Sequence, residues 1–329
     1  MKKFYALSFI LLSTLSFGQA ALPYYESFNY TSGSNLNGQG NWTGTAATPD
    51  DALISTGNLS YTGLLSSTGN SVTIGSNGFD PQQTVTNQTS GVIYSSFIFK
   101  VTDLATLTDA AGGYFYGFAS TSTTFASTVW LKTSGAGFQI GLNKATTIAD
   151  TQYLSTVYNL NTEYFIVIAY DLGTTKTSSI WISPLSSDLG IATAPTATLS
   201  TTTGTTDRTN IDRVFLRQDS ATETPTIIID ELRVGLSWAS VTPKAPLSIK
   251  QNAIAGLSVY PNPVTNGTLY ITSNSNEAKT VAVYDILGKQ VLNTKTSNNA
   301  VNVSNLKGGT YIVKITEEGK TDTKKLIIE

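Results

Sequence analysis

The chain has 329 residues and a formal charge of −2, and 13% of its residues are charged. It contains no cysteine and no histidine, which excludes a disulfide framework, thiolate chemistry and every Ser-His or Cys-His nucleophile, and removes the usual zinc ligand. Thr, Ser, Gly, Val, Ile and Tyr are plentiful, a composition that favours strands and tight turns over amphipathic helices.

At the start, Lys2 and Lys3 precede an apolar run from Phe4 to Phe17, and the small residues Gly18, Ala20 and Ala21 follow. This is the layout of a secretory signal peptide over residues 1–20, cleaved between Gly18 and Ala21. The run is shorter than the roughly 20 residues of a membrane span, and nothing later approaches that length, so no transmembrane segment is expected after cleavage. A lipoprotein anchor is excluded, since it requires a cysteine.

From 21 to 243 the sequence reads as short strands separated by turn residues, at the spacing of a sandwich or barrel. Residues 93, 95, 97, 99 and 101 alternate as one mostly apolar face, and so do Phe138, Ile140 and Leu142, and then Tyr164, Ile166, Ile168 and Tyr170. Phe165 and Val167 make the last of these apolar on both sides, as expected of a central strand. Tyr114, Tyr116 and Phe118 form an aromatic stripe whose direction, core or glycan groove, periodicity leaves open. The stretch 193–210 is rich in Thr with Ala, Pro and Gly and is expected to be an exposed loop.

Residues 21–243 hold about eight more acids than bases, which argues against a nucleic-acid partner. All four arginines, Arg208, Arg213, Arg217 and Arg233, fall in one short stretch and are read as strand-face ion pairs. In the following strand, period two places Ile228, Asp230, Leu232 and Val234 on one face and Ile227, Ile229, Glu231 and Arg233 on the other. Asp230 and Glu231 then point apart, whereas the acid and base of glycoside hydrolysis must converge across one bond. A carboxylate on so apolar a face needs a partner, and Arg213 or Arg217 is expected to supply it.

Tyr25-Glu26-Ser27-Phe28-Asn29-Tyr30 with Gly38, Gly40 and Trp42 near the start, and residues 227–235 with Trp238 near the end, together resemble the concanavalin A-like (LamG-like) jelly-roll domains of secreted bacterial proteins. The resemblance covers nearly all of 21–243 and implies that the first and last strands lie together. The glucanases of this fold usually carry carboxylates at alternate positions, Glu-x-Asp-x-x-Glu or similar, and no such run is present. Related domains often bind calcium through Asp and Asn oxygens, which makes Asp50, Asp51, Asp207 and Asp212 candidate ligands, although no EF-hand spacing occurs. Trp42, Trp130, Trp181, Tyr114 and Tyr116 are the candidates for stacking on sugar rings. Asp219-Ser220-Ala221 resembles an O-glycosylation sequon of the same bacterial phylum, with Ser220 as the acceptor.

A Pro-containing stretch, 244–256, reads as a linker. After it come Tyr260-Pro261-Asn262-Pro263, a short strand at 269–272, Val281 to Lys289 with Asp285 and Gly288, a Gly308-Gly309 turn, Tyr311 to Ile315, and a final strand ending at Glu329. Their succession over 257–329 resembles the type A C-terminal sorting domain of type IX secretion substrates. That resemblance implies a small immunoglobulin-like β-sandwich, recognition by the type IX translocon, and delivery to the cell surface or medium.

The fold is therefore expected to be all-β: a jelly-roll passenger followed by a sorting domain. The missing histidine, cysteine and carboxylate run point to a non-catalytic, glycan-binding or adhesive module without a cofactor. Two alternatives stay open: a divergent polysaccharide hydrolase or lyase relying on Tyr, Arg and Lys, and a structural protein of a surface layer or matrix.

Overall fold

A computed structural model describes residues 19–44, 52–76, 78, 80–121, 123–218, 220–246, 254–275 and 277–329. The signal segment before residue 19 and the candidate ligands Asp50 and Asp51 lie outside the described residues. The chain divides into two compact units, the first ending at Pro246 and the second beginning at Leu247.

The first unit opens with β1 (Tyr24–Glu26), β2 (Trp42–Thr43), β3 (Leu53–Ser55), β4 (Ser71–Ile74) and β5 (Gln82–Gln88). It continues with β6 (Val92–Asp103), β7 (Gly113–Ala119), β8 (Phe125–Ser134), β9 (Gly137–Asn143) and β10 (Gln152–Tyr153). The remaining strands are β11 (Tyr164–Asp171), β12 (Thr177–Ile182), β13 (Leu199–Thr201), β14 (Ile211–Leu216) and β15 (Thr226–Gly235), and a single helical turn, α1 (Trp238–Val241), comes after them.

These strands form two antiparallel sheets. One has eight strands in the order β13-β12-β11-β6-β15-β4-β3, with β1 also on β15, and the other has seven in the order β10-β9-β8-β7-β14-β5-β2. The first strand thus pairs with the last, Tyr25 opposite Arg233, as the jelly-roll resemblance implies. Phe97, Phe99, Ile166, Ile168, Ile229 and Leu232 of the larger sheet meet Phe118, Val129, Leu131, Phe138, Ile140 and Val214 of the smaller one in a continuous core. Fully burying each such side chain contributes about 1.5–3 kcal/mol.

The larger sheet is covered on its outward side as well. Ile98, Phe165, Val167 and Trp181 pack there under Leu59, Leu64, Leu189, Trp238 and Val241, which is why β11 reads as apolar on both faces. The 193–210 stretch differs from the expected solvated loop: it contributes edge strand β13, Thr201 is buried, and the Pro195 carbonyl accepts a hydrogen bond from the Trp181 indole at 2.8 Å.

Two bulges break the period-two reading. In β7 the register shifts between Tyr114 and Tyr116, so Tyr116 and Phe118 enter the core while Tyr114 turns outward. In β15 the register shifts between Asp230 and Arg233, with Glu231 at a φ of 56°. Ile227, Ile229, Leu232 and Val234 consequently share the core, and the acidic pair lies on the outward side. A bulge inserts one residue and reverses every later side chain.

The second unit contains β16 (Ser258–Tyr260), β17 (Thr268–Thr272), β18 (Lys279–Tyr284), β19 (Gln290–Thr296), β20 (Ala300–Asn302), β21 (Gly309–Glu317) and β22 (Lys320–Ile328). They form a three-stranded sheet, β16-β17-β20, and a four-stranded sheet, β19-β18-β21-β22. Val281, Val283, Tyr311, Val313 and Ile315, alternating along their strands, are buried in their shared core with Leu269, Ile271 and Leu326.

Candidate functional site

The outward face of the seven-stranded sheet carries an aromatic and cationic layer. Antiparallel pairing sets Phe215 of β14 opposite Gly117 of β7 and Gln82 of β5, and Arg213 opposite Ala119 and Thr84. On the other side, Trp130 and Lys132 of β8 lie opposite Gly141 and Gln139 of β9, and Tyr153 of β10 also faces Gly141. The two glycines make the floor: a Cβ at Gly117 would stand 3.0 Å from the Phe215 ring, and one at Gly141 2.8 Å from the Tyr153 ring. Rings therefore lie over backbone where any other residue would hold them off.

Tyr114 packs 5.1 Å from Trp130, and Phe125 lies 4.5 Å from Phe215, centroid to centroid. Cations cap this layer. The Arg217 guanidinium sits 4.5 Å above the Tyr114 ring and 5.6 Å from that of Phe125, and Lys132 Nζ is 4.2 Å above Tyr153. Such contacts hold the charges in place while leaving them attractive to anions. Asp212 bonds Arg213 at 2.7 Å, and Asp80 lies 3.9 Å from Arg217. The Tyr153 hydroxyl donates to the Ala111 carbonyl at 2.6 Å; burial, reinforced by the charge of Asp109, raises its pKa above the ordinary phenol value.

This face carries Arg213, Arg217 and Lys132, the first two beside Asp212 and Asp80. Elsewhere Lys100 pairs with Glu163, Lys144 with Asp207, and Arg233 with Glu231.

Two of the five sugar-stacking candidates belong to this layer, but it closes over them: Trp130 is 3% exposed and Tyr114 9%. The Trp130 indole donates to Thr128 Oγ1, whose hydroxyl in turn bonds the Ala145 carbonyl. Trp42 and Tyr116 are corrected outright, being core residues with no exposed surface. The Trp42 indole donates to Glu26 Oε2, and the Tyr116 hydroxyl bonds Ser95 Oγ. Trp181 lies on the opposite sheet, packed against Trp238. As for metal, Asp207 and Asp212 are each engaged by a cation, and the described residues contain no group of three or more metal-ligating side chains. Ser220 is half-buried, its hydroxyl 3.2 Å from that of Thr222.

Sequence reading missed Phe125, Lys132, Tyr153 and Phe215 and took Arg217 for a structural ion-pair partner. One signal was present: Arg213, Phe215 and Arg217 recur at period two and so share one face of a strand. Asp230 meets neither predicted arginine. It accepts the backbone amides of Leu59 and Glu231 at 2.8 and 2.7 Å, and burial pushes its pKa up to about 7.

In the second unit the motif residues have structural tasks. Asn262 donates to the Lys325 carbonyl and accepts the Ile327 amide, tying the Tyr260-Pro261-Asn262-Pro263 segment to the last strand. Asp285 accepts the amides of Leu287 and Lys289, closing a turn completed by Gly288 at a φ of 83°. Gly309 opens β21, and the Tyr311 hydroxyl donates to the Lys307 carbonyl. Residues 258–329 match the family described as secretion system C-terminal sorting domain. The tail is a type IX secretion sorting domain. A chain carrying this sorting domain is exported to the cell surface or the medium, and no helix among the described residues is long and apolar enough to cross a membrane.

An ulvan lyase of Nonlabens ulvanivorans is 33% identical over 86 residues, which is 25% of this chain and 16% of that protein. The chain therefore spans under a fifth of the curated relative's length. Among solved structures, an endo-β-1,4-glucuronan lyase from Trichoderma reesei aligns over 68% of this chain and 99% of its own at 12% identity and a TM-score of 0.38. An endo-1,3-β-glucanase from Streptomyces sioyaensis aligns over 64% and 94% at 10% identity and a TM-score of 0.35.

The similarity to an ulvan lyase corrects the expectation of a module without catalysis. Missing histidine and missing paired carboxylates remove the common designs for hydrolysis. An elimination needs a proton acceptor and a group that neutralises the substrate's charge, roles open to Tyr, Arg and Lys.

Proposed function

We propose that the exported protein is a polysaccharide lyase whose acidic substrate lies on the outward face of the seven-stranded sheet. The observation that carries this reading is the placement of Arg217 over Tyr114, with Arg213 and Lys132 on the same face of an otherwise acidic domain. The ulvan lyase relative supports it.

A lyase removes the proton on the carbon next to a uronate carboxylate; the glycosidic C–O bond breaks, a double bond forms within the sugar, and the leaving oxygen is protonated. Arg217 neutralises the carboxylate, which makes that proton acidic enough to leave. Of the two phenols on this face, Tyr114 is buried directly beneath Arg217, and Tyr153, less buried and held by the Ala111 carbonyl, is the one that can reach a substrate to carry the proton.

The test is incubation of the purified chain with ulvan and with glucuronan while following ultraviolet absorbance of the new double bond. Arg217→Ala is expected to lower kcat/KM about 100-fold or more, Arg217→Lys to restore part of it, and Tyr153→Phe to abolish turnover with binding retained. No absorbance from either polymer, with a folded protein, would overturn the reading.

A further inference from the structure

Tyr25 is a large side chain held rigid and yet 44% exposed. Its hydroxyl donates to Glu231 Oε1 at 2.6 Å and lies 3.1 Å from Thr68 Oγ1. The Arg233 guanidinium sits over one face of the ring, 4.4 Å from its centroid. Glu231 is aimed at this cluster by its bulge: one carboxylate oxygen accepts Tyr25 and the Thr68 amide, the other Arg233. A non-glycine residue at a positive φ carries strain, and here the strained residue fixes an exposed aromatic ring.

A cavity of about 200 Å³ lined by Leu22, Pro23, Leu236, Ser237 and Ser240 lies where the chain enters β1 and leaves β15. Tyr25 pairs with Arg233 in the β1–β15 register, and Pro23 of the cavity lining stands two residues before it. Leu236 is 52% exposed. Ser237 Oγ accepts the Ser240 amide and keeps its own hydrogen to donate. No charged side chain lines the cavity, and Arg233 is already paired with Glu231.

We propose that Tyr25 and this cavity form a sugar-binding subsite on the outward face of the eight-stranded sheet, separate from the face assigned to elimination. A sugar ring presents an apolar C–H face and a rim of hydroxyls. The open Tyr25 ring and the leucines match the first, and the serines match the second. The cavity, about 200 Å³, has room for one ring, and an anion would find no free counter-charge. Burial and the bond to Glu231 push the Tyr25 phenol up to about 12, so it acts as a neutral donor and a surface to bind on.

The inference does not rest on the lyase reading. Binding of ulvan and of neutral laminarin to the full chain is measured by calorimetry at low and high salt. The charged face is screened by salt, whereas the subsite is not. Tyr25→Ala and, because Tyr25 also holds Glu231, the independent surface change Leu236→Ser are each expected to weaken the salt-resistant binding about tenfold. Tyr25→Phe retains it, and the absorbance rate on short oligosaccharides is unchanged in all three. A loss of binding in a protein that shows no lyase activity would still support the subsite. Unchanged binding in both folded variants, or no salt-resistant binding by the parent chain, overturns it.

Discussion

Asp230 shows how a single residue escapes sequence reasoning. An acid among Ile227, Ile228 and Ile229 announces the need for a partner, and the nearby arginines are the natural choice. Its partners are instead backbone amides, one of them from Leu59, 171 positions away, in a loop whose path no local pattern encodes. Burial raises its pKa from 3.8 to about 7, which outweighs the lowering by those two amides and by Arg233. The folded state then prefers the protonated acid, so this contribution to stability is full below the unfolded pKa of about 4 and is lost as pH rises to about 7. Across that window the loss is on the order of 4 kcal/mol. The thermal midpoint of the first unit should fall accordingly, and Asp230→Asn should flatten the slope while giving up about 1 kcal/mol for an imperfect hydrogen bond. An unchanged slope in Asp230→Asn would assign the pH dependence elsewhere.

Among the elements, strands with strict alternation were legible and bulged ones were not. The β9 and β11 faces keep period two throughout, because nothing interrupts their ladders. In β7 and β15 one inserted residue reverses every later side chain, and the hydrophobicity of neighbours on both sides hides the insertion: Phe115 and Tyr116 both enter the core. The same concealment explains why the Tyr114 to Phe118 stripe could not be assigned to a face.

In the sorting domain, buried Lys279 at the start of β18 pairs with Glu317 at the end of β21 at 2.8 Å, and Ser273 donates to the same carboxylate. Burial pushes the Glu317 pKa up, but the bonds from Lys279 and Ser273 outweigh it and the net shift is downward. Its stabilisation is therefore present above the ordinary glutamate pKa and is lost as pH falls below it. Lys279→Ala should cost about 3–5 kcal/mol by leaving the acid unpaired, whereas Lys279→Met with Glu317→Leu should be nearly neutral. Calorimetry of the full chain, monitoring the transition of the second unit, reads both; equal losses in the single and double variants would contradict the pairing account.

For the whole molecule, the two units differ in how much a sequence can disclose. The sorting domain is dense in short motifs: Asp285 and Gly288 fix a turn within one segment, Gly309 opens β21, and Asn262 ties its segment to the last strand, so their order carries the fold. The outward face of the seven-stranded sheet is assembled from residues 82–217, contributed by strands far apart in the chain, and only Arg213, Phe215 and Arg217 hint at it locally. On the proposed reading, export and chemistry are separable, with the sorting domain addressing the chain and the jelly roll carrying the face assigned to elimination. A chain truncated before residue 258 should keep its passenger folded, because the buried clusters of the first unit draw on no residue beyond Val241. It should also disappear from the cell surface and medium and accumulate inside the outer membrane, as seen by immunoblotting of fractions. Substituting Asn262 with alanine is the finer test, since it leaves the core intact and removes only the two bonds to the last strand. If export depends on the folded shape of the tail, this variant should be released in reduced amount in step with its lowered thermal midpoint. Full release by the truncated chain would show that delivery depends on a signal elsewhere.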